Sequence, residues 1–287
     1  MASNTLTRRA FLGFAGSVPL AWTLADRWPL SAAARPRIGV QLYSVRRDCA
    51  QNFDLALEQV AGMGFEGVEF AGYYAYADKP ADLARRLKAL NLVAAGTHIR
   101  TNVLQGDELK RTIDFLQAIG CRFAVVPGDP AFTDPEKSKA LADTFNAVAE
   151  TLKPLGMACG FHNHTGEFKK DADKTYWDLF AERTSQDVVL QQDCGWTFTA
   201  GFDPVAYVRK YPGRTKTVHF KPAVPPGATD KKAILGQDSV DWKGVYDACV
   251  SVGGTEWVIV EQETYPDNKP PMDCTRESLA GLRAILK

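Results

Sequence analysis

Two imidazoles and a carboxylate fall close together in Phe161-His162-Asn163-His164-Thr165-Gly166-Glu167-Phe168. The apolar run before them, Met157-Ala158-Cys159-Gly160, reads as a strand. Side chains alternate along a strand, so His162 and His164 share one face and Glu167 follows just beyond the exit. Buried without partners, such groups would cost roughly several kcal/mol each. The trio is therefore either a hydrogen-bonded cluster at a strand end or part of a metal or acid–base site.

The placement of the other polar residues favours the second reading. The chain holds four histidines, His98, His162, His164 and His219. Each falls at or near the end of a β-rich run, as do Glu69, Asp193 and Glu261. Imidazole nitrogen with carboxylate oxygen and no thiolate suits Mn²⁺, Zn²⁺, Co²⁺ or Fe²⁺ better than Ca²⁺. No C-x-x-C pair occurs among the six cysteines, which argues against a thiolate zinc site. Lys221, two residues after His219, points to the same side and suits a developing oxyanion or a substrate carboxylate. Trp196 and Tyr43 offer aromatic faces for sugar stacking or for plain packing.

The elements that must position these residues repeat as a short β-rich run followed by a longer amphipathic stretch. The β-rich runs are 38–43, 67–70, 92–99, 121–126, 157–162, 187–192, 215–220 and 257–260. Helical spacing follows at 53–63, 81–90, 107–119, 140–155, 176–183, 203–210, 242–252 and 277–286. Gly120 and Gly156 read as helix stops, and Asp203-Pro204 as a helix start. Tyr73, Tyr74 and Tyr76 read as loop surface. Eight β-then-α units in one chain imply an α/β fold, a single (β/α)₈ barrel, whose sites lie where the strands end. A doubly wound open sheet would need a glycine-rich phosphate loop after the first strand, and Gln41-Leu42-Tyr43-Ser44 is not one.

The N-terminus follows a different logic. Arg8-Arg9 precede an apolar run from Phe11 to Leu24, and Ser31-Ala32-Ala33-Ala34 follows with small residues. That pattern reads as a twin-arginine export leader over residues 1–34, with a mature domain over 35–287. A periplasmic location, with no membrane contact after cleavage, is expected. The 34 basic residues balance the 34 acidic ones, so nothing steers the chain toward nucleic acid. The cysteines read as small buried hydrophobes rather than a disulfide framework. The oligomeric state is left open.

Several motifs recur in a fixed order: Gln41-Leu42-Tyr43-Ser44-Val45-Arg46, Val68-Glu69-Phe70-Ala71-Gly72-Tyr73, His162-Asn163-His164 with Glu167-Phe168, Asp193 with Trp196, His219-Phe220-Lys221, and Glu261-Gln262. The ordered set resembles the sugar phosphate isomerase/epimerase branch of the xylose isomerase-like TIM barrels. The resemblance spans essentially the whole mature chain and implies one divalent ion, Mn²⁺ first, with Zn²⁺, Co²⁺, Fe²⁺ or Mg²⁺ as alternatives. It assigns Asp193, His219 and Glu261 as ligands. Many members supply a glutamate from the fifth strand where this chain has His162. The fourth ligand is therefore His162 by first choice, with His164 or Glu167 behind it. The usual Asp after the His-x-Lys motif is Pro222, and a common Gly-Glu-Gly reads Gly236-Gln237-Asp238.

The expected activity is metal-dependent isomerisation or epimerisation of a small sugar or keto-sugar through an enediolate. Glu261, His164, Glu167 and Lys221 are the expected catalytic groups, and Gln41, Glu69, His98 and Trp196 the expected substrate contacts. Loss of the symmetric glutamate pair makes a lyase or dehydratase acting on a keto-sugar or keto-glycoside the rival. A non-catalytic sugar-binding barrel is a further alternative. An endonuclease, also known in the superfamily, is disfavoured by the neutral charge and the small number of histidines.

Overall fold

Short runs rich in Val, Ile and Phe, each followed by an amphipathic helix, form a parallel sheet with both faces covered, and closing that sheet on itself leaves no edge strand. The computed structural model describes residues 35–287 and shows this closure. Residues 1–34, where the export leader is expected, lie outside the described residues. The strands are β1 (Arg37–Gln41), β2 (Gly67–Phe70), β3 (Val93–His98), β4 (Phe123–Val126), β5 (Ala158–His162), β6 (Val189–Asp193), β7 (Thr217–Phe220) and β8 (Trp257–Val260). Every neighbouring pair is parallel, and β1 closes the barrel against β8 with Arg37 opposite Trp257. The outer ring comprises α1 (Phe53–Met63), α2 (Pro80–Ala89), α3 (Gly106–Ala118), α4 (Lys137–Leu152), α5 (Tyr176–Arg183), α6 (Pro204–Lys210), α7 (Trp242–Ala248) and α8 (Pro271–Ile285).

Local chemistry sets the helix ends. The Asn52 side chain accepts from Leu55 N at the start of α1, and Gly64 ends that helix at φ 91°. The Asp203 side chain accepts from Val205 N ahead of Pro204, as its sequence predicts. Lys153-Pro154-Leu155, expected inside α4, instead forms a 3₁₀ turn before Gly156 at φ 67°, because Pro154 cannot continue the helical hydrogen bonding. Two short helices, Arg46–Gln51 and Cys194–Thr199, follow the strand ends of β1 and β6. Among the described residues no helix is long and apolar enough to cross a membrane.

Inside the barrel the floor is apolar: Ala95, Phe123, Val125, Val189, Trp257 and Ile259 form one packed cluster. The larger core lies between strands and helices and includes Phe132, Phe145, Phe161, Trp177 and Phe180. All six cysteines are buried and unpaired. Two expectations need correction. β5 ends at His162, so His164 belongs to the following loop and not to the strand face. Tyr73 is not loop surface: it packs between Phe70 and Phe115 and its hydroxyl meets Thr97 Oγ1 at 2.8 Å.

Candidate metal centre

The alternation that fills the floor with apolar side chains fills the mouth with polar ones two residues later. Along β6 the series is Val189, Gln191, Asp193; along β7 and just past it, Thr217, His219, Lys221; along β8 and just past it, Trp257, Ile259, Glu261. Parallel register then brings the ends together, with Asp193 beside His219 and His162 beside Gln191. One donor atom each from His162, Asp193, His219 and Glu261 lies within 4.8 Å of all the others, and all four residues are buried.

Each donor is held from behind. Asn163, between the two histidines, accepts from Asp193 N at 3.0 Å through Oδ1 and donates to Asp193 O at 3.3 Å, tying β5 to β6. Asp193 Oδ1 accepts from Trp196 N at 2.7 Å and so caps the short helix that follows. His219 donates from Nε2 to Glu69 Oε2 at 2.5 Å, and its Nδ1 lies 2.9 Å from Glu261 Oε2. Glu69 is fully buried and also accepts from Gln41 Nε2 at 2.8 Å and Gln191 Nε2 at 2.7 Å. Gly96 makes room for it, since a Cβ there would approach Glu69 Oε1 to 2.7 Å.

The electrostatics are unbalanced in a way that a cation corrects. Burial, with Glu261 nearby, pushes the Asp193 carboxyl up to about 7 against the pull of Lys221 and His219. Burial also opposes the charge on Glu261, but His219 and Lys221 outweigh it and hold that carboxyl well below the usual range. Burial would likewise lower His219, yet Glu69 and Glu261 push it up to about 10. Burial and the neighbouring cationic groups depress His162, and burial with Lys221 lowers His164 to about 4. Asp193 Oδ2 is buried with no hydrogen-bond partner, and His162 Nε2 stands 3.9 Å from it. A bare carboxylate oxygen ringed by two imidazoles and a second carboxylate fits a divalent ion of the N/O-preferring kind.

Above this set opens a cavity of about 380 Å³. His98, His162, His164 and Glu261 line its inner side, and Tyr43 and Arg100 stand in its outer wall. His164 reaches the cavity wall but not the donor quartet; its ring lies 5.0 Å from that of His162 and 5.7 Å from that of Trp196. Lys221 stacks over Trp196 with Nζ 4.2 Å from the ring centroid and forms an ion pair with Glu263. Trp196 Nε1 is buried without a partner.

Of the expected site residues, His98, His162, His164 and Glu261 line the cavity. Asp193 and His219 lie in the quartet off its wall, Lys221 and Trp196 stack on each other beside it, and Glu167, Gln41 and Glu69 turn elsewhere. Glu167 turns back to accept from His164 N at 2.8 Å, because the chain folds into a 3₁₀ turn at Gly166–Phe168. Gln41 and Glu69 lie beneath the donors and bond to each other, and Gln41 Oε1 also accepts from Tyr43 N. Glu263 and Gln191 join the site without having been singled out. Gln191 was legible only as a polar residue inside an apolar strand, two places before Asp193.

Residues 57–285 match the family described as xylose isomerase-like TIM barrel. The chain is similar to the inosose dehydratase of Lacticaseibacillus casei, with 22% identity over 94% of this chain and 96% of the relative. A sugar phosphate isomerase/epimerase of Parabacteroides distasonis superposes with a TM-score of 0.71 at 20% identity, covering 88% of this chain and 98% of that one. An L-ribulose 3-epimerase superposes with a TM-score of 0.66 at 18% identity, covering 88% and 96%.

Proposed function

Because this chain belongs to the xylose isomerase-like TIM barrel family, we propose that it is a divalent-metal-dependent enzyme that isomerises or epimerises a small sugar or keto-sugar through an enediolate. The observation that carries this reading is the unpartnered Asp193 Oδ2 inside a buried His-Asp-His-Glu quartet that opens onto a cavity. His162, Asp193, His219 and Glu261 would hold the ion, Mn²⁺ by first choice, which supplies Lewis-acid polarisation of a substrate carbonyl.

The chain's own residues supply the rest. Glu261 belongs to the quartet and also lines the cavity, so it is the carboxylate placed to take a proton from the carbon next to a carbonyl. His164, uncharged at neutral pH, stands on the same cavity wall and can accept or return a proton. Lys221 is fixed by Glu263 and Trp196, which suits it to orient a substrate oxygen rather than to carry protons. Glu167 supports the His164 loop from behind.

Elimination is the second reading. The proton-transfer groups on the cavity wall are His164 and Glu261, one imidazole and one carboxylate. That asymmetry suits a reaction with one base and one different acid, and the similarity to inosose dehydratases points the same way. On our reading of residues 1–34 as a twin-arginine leader, the enzyme works in the periplasm. A free or oxidised sugar or glycoside then fits better than a sugar phosphate.

Incubating the Mn²⁺-supplemented protein in D₂O with a panel of keto-sugars, followed by NMR, tests the reading. Exchange of the proton next to the carbonyl should appear with the protein and vanish in Asp193→Ala together with bound metal. If that variant keeps both metal content and turnover, the proposal fails. Accumulation of a dehydrated product would decide for elimination.

A further inference from the structure

We propose that Gln191 is a positioning residue that sets which ring nitrogen His162 presents to the ion site and, together with Glu69, which one His98 presents to the cavity. Gln191 sits fully buried in β6 beneath both rings. Its Nε2 is 2.7 Å from Glu69 Oε1 and 2.7 Å from Thr217 Oγ1. A carboxylate can only accept, so the amide nitrogen must face Glu69 and the amide oxygen must face the other way. That oxygen lies 2.8 Å from His98 Nε2 and 3.0 Å from His162 Nδ1.

An amide oxygen has two lone pairs and no proton, so both histidines must donate to it. A neutral imidazole carries one N–H. Once the bond to Gln191 uses it, the other nitrogen is left with a lone pair. At His162 that nitrogen is Nε2, the atom that faces Asp193 Oδ2. At His98 it is Nδ1, which has no hydrogen-bond partner among the described residues, on a ring that lines the cavity; His98 Nε2 also lies 3.2 Å from Glu69 Oε2, a second acceptor that favours the same N–H. One amide, locked by one buried carboxylate, thereby turns two acceptors upward together. With the amide reversed, Oε1 would meet the Glu69 carboxylate and the His162 N–H would lose its acceptor, while His98 Nε2 would keep only Glu69 Oε2. The part of this inference that concerns the ion rests on the proposed metal-dependent reading; the ring orientations do not.

Long-range ¹H–¹⁵N NMR on the metal-free protein reads the tautomers directly, and four histidines make the spectrum assignable with single substitutions. The wild-type protein should show His162 protonated on Nδ1 and His98 on Nε2. Gln191→Met keeps the bulk and removes both amide functions. The His162 ring should lose its fixed tautomer while His98, still facing Glu69 Oε2, keeps Nε2–H, and calorimetry with Mn²⁺ should show the Kd weakened by about 10- to 100-fold. The opposite tautomer on either ring in the wild-type protein overturns the proposal, and that measurement decides even if the variant does not fold. A folded Gln191→Met that keeps His162 fixed on Nδ1 also overturns it. Correct tautomers in a wild-type protein that binds no Mn²⁺ would uphold the role of Gln191 and sink the metal-dependent function instead.

Discussion

The strands β5–β8 and the strands β1–β4 reach the same cavity with different equipment. Strands β5–β8 contribute all four members of the donor quartet and β1–β4 none, the donors standing at strand ends where Asp193 pairs with His219 in register. The β1–β4 half sends Gln41 and Glu69 underneath, His98 to the cavity wall, and Tyr43 and Arg100 to the outer wall. Donor atoms can converge on an ion only if their lone pairs point inward, and that orientation comes from hydrogen bonds made on their far side. Glu69 crosses the barrel to provide one such bond to His219 and anchors Gln191, which provides another to His162. The β5–β8 half therefore offers the ligands with part of their support, and the β1–β4 half adds support from Glu69 without offering any ligand.

The largest expected effect tests this division directly. Asp193→Ala should abolish stoichiometric metal, whereas Glu69→Gln should keep a metal site whose affinity is about 10- to 100-fold weaker. Elemental analysis and calorimetry on the two purified variants make the comparison. Equal loss in both would mean that the halves do not differ in kind.

A smaller effect is expected from Gly96→Ala, which adds a methyl group against Glu69 Oε1 without touching any member of the quartet. It should lower the stability of the metal-free protein by about 1–3 kcal/mol, read from urea unfolding. A neutral result would show that Glu69 can move freely and is not the fixed support described above.

The smallest effect lies outside the mouth, where α5 meets α6. Asp178 accepts from Lys210 Nζ at 2.8 Å and from Tyr211 Oη at 2.5 Å. Burial would raise its pKa, but these bonds, with Thr175, hold it below the ordinary value of 3.8. A carboxyl depressed on folding stabilises the protein above its unfolded pKa, and the contribution is lost as pH falls through the folded value. Asp178→Asn should therefore flatten the stability curve only below about pH 4, with no change in metal affinity. A shifted metal affinity would show that the helical ring and the mouth are coupled.

Much of the architecture was legible because glycine, proline and capping residues punctuate eight alternating units, and because polar side chains at strand ends stand out against apolar runs. His162, Asp193, His219 and Glu261 were visible for that second reason, and the structure gathers them. Glu167 was misplaced because nearness along the chain carries no direction: one 3₁₀ turn at Gly166–Phe168 reverses its carboxylate. Gln191 escaped notice because an uncharged residue within a strand looks like filler until the amide is seen between Glu69 and two histidines. Glu69 was noticed, but its depth was not, since depth depends on the bulge between Val68 and Glu69 and on the missing side chain at Gly96.

The six sealed sulfurs carry a practical consequence. They are distributed around the ring, from Cys49 through Cys159 in β5 to Cys274 in α8, and burial pushes the thiols of Cys49, Cys121, Cys159 and Cys249 up to about 12. In the closed barrel they are chemically dormant toward alkylating dyes, which react with the thiolate. Each becomes taggable only when its own segment opens. Timed labelling followed by peptide mapping would thus turn the unmodified chain into a gauge of where, and how often, the cylinder breathes.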